Sequence, residues 1–392
     1  MRPTAGIVVC FALVAACGVD KPKSTHTQIP DDTPAMVQPV AVIEADTLAG
    51  PLPLAVSLSG AASEGDDLSW LWTFADGSTA SGVDVQRTWL GSGSYEVDLT
   101  VTDGNGAEDT ATVDVEVAIA DCPESGAAEA VGMVIDVELD EISGLGVSHA
   151  NPGVLWVHND ARNRRALYAL DELGNVVGDF GLEINYGDWE DIAVGEDAAG
   201  EPVLYIGSVG NNDLDRLVLA ILIVAEPVVP IGELTTETLE YREMQLEFPD
   251  GPYDSESLMW DPQTGDLYVV TKDPAGASIV FRAAAPHDED LVVLEQVATL
   301  DFAVEPLLGI KTTAAAISPL GDQIAIRTYS DTAFIWRRDA SATFTQAFET
   351  EPCPVTIASE TQGESLDFSI DGDAFWTIPE GAGAPVNHTE IH

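Results

Sequence analysis

Apolar and polar residues alternate with a period of two along residues 39–118, and turn residues separate the alternating runs. The apolar positions are Val40 and Val42, then Leu54, Val56 and Leu58, then Leu68, Trp70 and Trp72. Val83 and Val85 follow, then Tyr95, Val97, Leu99 and Val101, then Ala111, Val113 and Val115. A two-residue period puts one face of each strand in a core and the other in water. Six or seven short strands of this kind predict a small Ig-like β-sandwich. Trp72 is expected to fill the space between the sheets, and Asp76-Gly77 to make a tight turn.

From residue 122 to 392 the pattern becomes an internal repeat. Each copy has an apolar strand, a turn, a second strand with a polar end, and then further strands. Five copies begin at Glu141-Ile142-Ser143, Glu190-Asp191-Ile192, Glu256-Ser257-Leu258, Thr313-Ala314-Ala315 and Glu364-Ser365-Leu366. Glu141 and Glu190 are 49 residues apart, Glu190 and Glu256 are 66 apart, and Glu256 and Glu364 are 108 apart, or two repeats. That spacing suits a four-stranded propeller blade. The expected fold is therefore all-β: an Ig-like sandwich, then a β-propeller of five blades, or six if a blade lies within 209–250. The last copy is short, and the segment Val131–Val137 is expected to supply its outer strand.

Composition changes this picture mainly through charge. The chain has 67 acidic and 15 basic residues, a formal net charge of −52. Such a surface repels nucleic acid and anionic lipid and suits cations or a cationic partner. It also simply keeps a protein soluble. The chain starts with Arg2 and an apolar run, Ala5–Ala16, too short to cross a bilayer comfortably and suited to an export signal. The run ends in Val14-Ala15-Ala16-Cys17, which resembles the lipobox of bacterial lipoproteins. That resemblance implies lipidation of Cys17, anchoring on a membrane, and, with Gly18 next, a place in the outer membrane facing periplasm or exterior. Residues 1–16 are then the signal and 17–38 a polar tether carrying Pro22, Pro30 and Pro34. Cys10 leaves with the signal. Cys122 and Cys353 remain, and in an oxidising compartment they are expected to form a disulfide.

Trp72-Thr73-Phe74-Ala75-Asp76-Gly77, followed by Gly93-Ser94-Tyr95-Glu96-Val97-Asp98-Leu99-Thr100-Val101-Thr102-Asp103, resembles the PKD domain. The resemblance covers 39–118 and implies a spacer or adhesion module without catalysis.

In a propeller, inner strands start and second strands end at the same face. The starts offer Glu141, Asp188, Glu190, Asp191, Asp254, Glu256 and Glu364 as metal-ligand candidates. The ends offer His158-Asn159-Asp160, Gly210-Asn211-Asn212, Thr271-Lys272-Asp273, Arg327-Thr328-Tyr329 and Glu380. Carboxylates crowded together must protonate, pair with a cation such as Lys272 or Arg327, or bind a metal. Calcium suits an oxygen-only site. Alternatively, each glutamate accepts backbone N–H bonds and is structural, and His158 is a turn histidine. Asp188-Trp189-Glu190-Asp191-Ile192-Ala193, Glu256-Ser257-Leu258 and Gln362-Gly363-Glu364-Ser365-Leu366 are similar to propellers of the phytase-like esterase and SdiA-regulated groups. That similarity implies a calcium-associated propeller and permits phosphoester or ester hydrolysis. Two functions follow: a surface-anchored protein that binds an extracytoplasmic ligand or partner, or a calcium-dependent hydrolase. In the second, Glu190 or Glu256 would be general base, and Lys272 or Arg327 would stabilise negative charge.

Overall fold

The computed structural model describes residues 38–51, 54–89, 93–118, 122–160, 164–184, 187–230, 232–302, 310–339 and 342–392. Cys17, the export signal and most of the tether lie outside them. The first unit is two packed sheets. One joins β1 (Glu44–Ala45), β3 (Leu54–Ser59) and β6 (Asp84–Trp89). The other, in order, joins β2 (Ala49–Pro51), β8 (Glu108–Ala118), β7 (Gly93–Thr102), β4 (Ser69–Phe74) and β5 (Thr79–Ser81). Val56 and Leu58 from the first sheet meet Trp72, Val97, Leu99 and Val115 from the second. Trp72 is fully buried and donates through Nε1 to the Gly82 carbonyl at 2.9 Å, so its one polar atom is satisfied inside the core. Two expectations need correction. Val40 makes only an isolated bridge to Glu64 rather than a strand with Val42. Strand β5 carries no large apolar residue, which is why alternation does not reveal it.

Among the described residues the second unit holds five antiparallel four-stranded sheets, two of which gain a fifth strand. The first contains β10 (Ile142–Val147), β11 (Val154–Asn159), β12 (Ala166–Asp171) and β13 (Val176–Leu182). The second contains β14 (Asp191–Glu196), β15 (Pro202–Ser208), β16 (Val218–Ala225) and β18 (Arg242–Glu247). The third contains β19 (Ser255–Trp260), β20 (Leu267–Thr271), β21 (Ala277–Ala283) and β23 (Glu295–Asp301). The fourth contains β24 (Thr312–Ile317), β25 (Gln323–Thr328), β26 (Thr332–Arg337) and β27 (Cys353–Thr356), with the short helix α1 (Phe344–Ala347) before its last strand. The fifth contains β28 (Asp367–Phe368), β29 (Ala374–Thr377), β30 (Pro385–Glu390) and β9 (Glu129–Met133).

First strands are buried at nearly every position, because both faces lie against neighbouring sheets. Strand β10 lies against β14, β14 against β19, β19 against β24, β24 against β28, and β28 against β10. The last sheet is completed from the start of the unit, as its short repeat predicts, but the strand is Glu129–Met133, and Ile135 and Val137 are exposed. Among its described residues, the segment 209–250 forms no sixth sheet. It supplies β16 and β18, together with β17 (Thr235–Leu239), which returns to pair in parallel with β13. Likewise β22 (Leu291–Val293) pairs in parallel with β18. These added strands cover sheet edges that would otherwise present unpaired backbone.

Cys122 and Cys353 form a disulfide, with Cα atoms 5.2 Å apart. It joins the segment leading to β9 to the first residue of β27. Among the described residues no helix is long and apolar enough to cross a membrane.

Candidate functional site

The first strands of the first, third and fourth sheets each start with a β-bulge, at Ser143, Glu256 and Thr313. A bulge leaves one residue out of the ladder and re-aims its side chain. Ser143 Oγ donates to the Glu190 carbonyl at 2.7 Å, and Thr313 Oγ1 to the Gly363 carbonyl at 2.8 Å, each reaching the next sheet. Glu256 occupies the same position but carries a carboxylate. Glu141 therefore sits two residues out of register with Glu256, and the equivalent place in the first sheet belongs to Ser143. Glu141 is half-buried, with its amide bonded to Asn159 Oδ1 at 3.3 Å.

Around these starts the acidic side chains gather. Carboxylate oxygens of Asp160, Asp188 and Glu190 all lie within 4.8 Å of one another. Asp160 follows β11, whereas Asp188 and Glu190 precede β14. Gly210 closes the space behind them: a Cβ there would stand 2.0 Å from Glu190 Oε1 and 2.6 Å from Asp188 Oδ2. Arg165 donates to the carbonyls of Asp160, at 3.1 Å, and Gly187, while Arg216 donates to the Gly210 carbonyl at 2.6 Å. Both guanidiniums are thereby spent largely on backbone. Burial pushes the Glu190 carboxyl well above its ordinary range, and Glu256, Asp160 and Asp188 add repulsion. Burial also raises Asp188, with Asp160 adding to it.

Glu256 pairs with Lys272 Nζ at 2.6 Å. Burial nevertheless raises Glu256 to about 8, opposed by that lysine. Burial alone would lower Lys272, but Glu256 outweighs it and the ammonium is held charged. Lys272 Nζ also donates to Tyr329 Oη at 3.1 Å, and Tyr329 Oη donates in turn to Glu364 Oε1. Glu380 lies beside Glu364, and burial, then the charge of that neighbour, raises its carboxyl to about 8. Glu380 also feels Asp160, so the charges are coupled from Asp160 through Glu190, Glu256 and Glu364 back to Asp160.

Several candidates lie elsewhere. Asp191 is fully buried, and its Oδ2 and Oδ1 accept the amides of Leu258 and Ile192, both at 2.9 Å. It braces adjacent sheets and does not join the metal-type cluster. Asp254 Oδ1 accepts the Asn211 amide at 2.8 Å. Arg327 is wholly buried and paired with Glu360 at 2.9 Å, and it also donates to the Ser365 carbonyl at 2.9 Å. Glu360 further accepts from Thr377 Oγ1 at 2.6 Å and Asn387 Nδ2 at 2.7 Å, so the pair is locked between the last two sheets. His158 is buried against Gly144 and edge-on to Trp189, and burial lowers its imidazole to about 4. It is a neutral core histidine rather than a turn residue. Glu360, Arg165 and Arg216 are not distinguishable as site residues by pattern, whereas Gly210 stands in the polar strand end Gly210-Asn211-Asn212. Of those three, Glu360 alone leaves a trace, four residues before Glu364 in a run rich in acid.

Residues 36–117 match the PKD domain family. That segment is a PKD domain. The match agrees with the segment 39–118 expected from its motifs. The PKD1 domain of Vibrio anguillarum Epp is 32% identical, with 22% of this chain and 100% of that one covered, at a TM-score of 0.20. The PKD1 domain from Vibrio cholerae metalloprotease PrtV is also 32% identical, with 21% and 98% covered, at a TM-score of 0.19. No curated protein matches the chain. The PKD domain contains none of the clustered carboxylates described above.

Proposed function

We propose that the chain is a lipoprotein of the bacterial cell envelope, held by lipid on Cys17, whose five sheets form a closed five-bladed propeller that binds calcium and, through it, an extracytoplasmic ligand. The closed arrangement is supported by the order of first-strand neighbours, which returns from β28 to β10. In this arrangement the PKD domain stands between tether and propeller as a spacer.

The observation that carries the binding function is the Asp160, Asp188 and Glu190 trio, with oxygens within 4.8 Å and a cradle that only glycine permits at residue 210. An oxygen-only donor set of this kind fits calcium, and those three side chains would hold it. The bound ion would supply positive charge to attract an anionic or hydroxylated ligand.

Binding is favoured over hydrolysis because the candidate electrophilic groups are already committed. Arg327 is sealed against Glu360, and Lys272 is bonded to Glu256 and Tyr329. Neither is free to meet developing charge on a substrate.

Calorimetric titration of calcium into the full chain tests this function. The expected result is one site with a dissociation constant on the order of 0.1–1 mM, as in extracellular modules, and a rise in thermal midpoint with calcium. Asp188→Asn should weaken binding about tenfold or more, since one anionic ligand is lost. No binding heat and no thermal shift would overturn it. Turnover of chromogenic phosphate or acyl esters that Glu190→Gln and Glu256→Gln abolish would transfer the assignment to a calcium-dependent hydrolase.

A further inference from the structure

At the opposite ends of β14 and β19, away from the acidic cluster, the second and third sheets part to form a cleft of about 590 Å³. Glu196 is the last residue of β14 and Trp260 the last of β19. The volume lies within the range of small-molecule pockets, about 300–1,000 Å³. Its walls are apolar, from Val203, Ile223, Pro262 and Pro286, and three aromatic rings join them: Tyr205, Trp260 and His287.

The rings are held in place. The Trp260 indole lies on Gly195, where a Cβ would come within 2.4 Å of the ring. Tyr205 donates its hydroxyl to the Glu196 carbonyl at 2.8 Å and meets His287 edge-on at 5.9 Å between centroids. His287 Nε2 is 2.8 Å from the Gly265 carbonyl, which can only accept, so the proton sits on Nε2. Burial lowers the imidazole, so the ring is neutral and adds no positive charge.

The rim is acidic. Glu196, Asp197 and Asp288 line it and are exposed; none of the three makes a salt bridge among the described residues, and Asp197 Oδ1 accepts the amides of Ala199 at 2.8 Å and Glu201 at 3.0 Å, which leaves its Oδ2 for the rim. Arg242 is the cation among the lining residues, and its guanidinium donates to the His287 carbonyl. Three carboxylates thus face one guanidinium, on a chain of net charge −52. Aromatic faces attract cations, most strongly when these are partly desolvated. A bare metal ion would find no use for the apolar walls, and an anion would meet the rim carboxylates.

We infer that this cleft binds a small organic ammonium compound, its apolar body between Ile223, Trp260 and Pro286 and its charged head among Glu196, Asp197 and Asp288. The site is separate from the calcium-binding face and does not depend on it.

Calorimetry and tryptophan fluorescence with three isosteric probes test the inference on the full chain: phenethylammonium, phenethyl alcohol and phenylacetate. Phenethylammonium is expected to bind saturably, about tenfold tighter than the alcohol, and phenylacetate not at all. The double variant Glu196→Gln/Asp288→Asn should weaken the ammonium about fivefold and leave the alcohol unchanged. Ala225→Trp, at an exposed lining position, should fill the cleft and remove binding of both. Absence of saturable ammonium binding, equal affinity for ammonium and alcohol, or an unchanged ammonium affinity in the charge variant would each overturn the inference. The charge variant decides the matter even if Ala225→Trp fails to fold, because both its sites are exposed.

Discussion

Replacing both Cys122 and Cys353 with serine is expected to cost the second unit on the order of 4–5 kcal/mol. The bridge closes a loop of 231 residues, so the loss of chain entropy that it imposes on the unfolded state is near the upper end for a single disulfide. Its position strengthens the effect. Cys122 anchors the stretch that delivers β9, and β9 completes the fifth sheet beside β30. Other ties on this stretch are the reciprocal amide–carbonyl bonds of Glu124 and His392, both at 2.9 Å, the Gly126 amide to the Glu390 carbonyl at 2.8 Å, and the Thr356 amide to Ser125 Oγ at 3.2 Å. Without the bridge only these bonds and the β9–β30 ladder hold the closing strand, and its opening exposes an edge of β30. For a unit of this size the thermal midpoint should fall by roughly 10 °C. The PKD domain lacks the bridge, so its own unfolding transition should stay in place and serves as an internal reference. A shift below about 1 kcal/mol in denaturant unfolding of the second unit would show that the staple contributes little.

How much of this was legible in the chain depends on the range of the interaction. Alternation around Trp72 and along Tyr95–Val101 is a local signal with one wet face, and it marks the PKD strands directly. The repeat likewise exposes the first and second strands of each sheet, because both are short apolar runs with turns between them. Register at the strand starts was not legible. A bulge adds one residue without changing composition, so Glu141 and Glu256 read as equivalents although Ser143 holds the equivalent place. Parallel pairing of β17 with β13 joins residues more than fifty positions apart, and no local pattern records it. The acidic trio was half legible. Asp188 and Glu190 stand beside a strand start, but their partner Asp160 ends a strand of the neighbouring sheet and shows in sequence only as the tail of a polar end. Arg327 and Lys272 have the same composition cue, a cation after an apolar strand. What separates their surroundings is Glu360, buried against the first and absent from the second.

Stability of the second unit is expected to fall as pH rises from 5 to 8 in the absence of divalent cations. Asp367 is the clearest cause. It is half-buried, and desolvation between the packed sheets raises its carboxyl to about 7, although its oxygens accept the amides of Val147 at 2.7 Å and Phe368 at 2.8 Å. In the unfolded chain an aspartate titrates near 4. Between these values the folded state holds a proton that the unfolded state has released, so the free energy of unfolding decreases with pH. Stability is fully present below the unfolded value and is lost as pH climbs through the folded one. A shift of this size corresponds to up to about 4 kcal/mol. Asp191, which burial raises and Asp367 repels, acts in the same direction. The PKD domain opposes this trend at its own acidic limit. Hydrogen bonds from Ser78 and Arg87 hold Asp76 down to about 2, so its contribution is lost only as pH falls below the ordinary carboxylate range. The two units should therefore part company, the PKD transition flat from pH 5 to 8 and the second transition descending. Asp367→Asn should lower stability at pH 5, because its amide nitrogen cannot accept a backbone N–H, and should reduce the drop between pH 5 and 8. An undiminished drop in that variant would move the cause to the glutamates of the acidic cluster. Calcium separates these two causes further. Bound at the trio as proposed, it would displace protons from Glu190 and its neighbours but not from Asp367, which lies outside the trio, so saturating calcium should remove only the part of the slope that the cluster supplies.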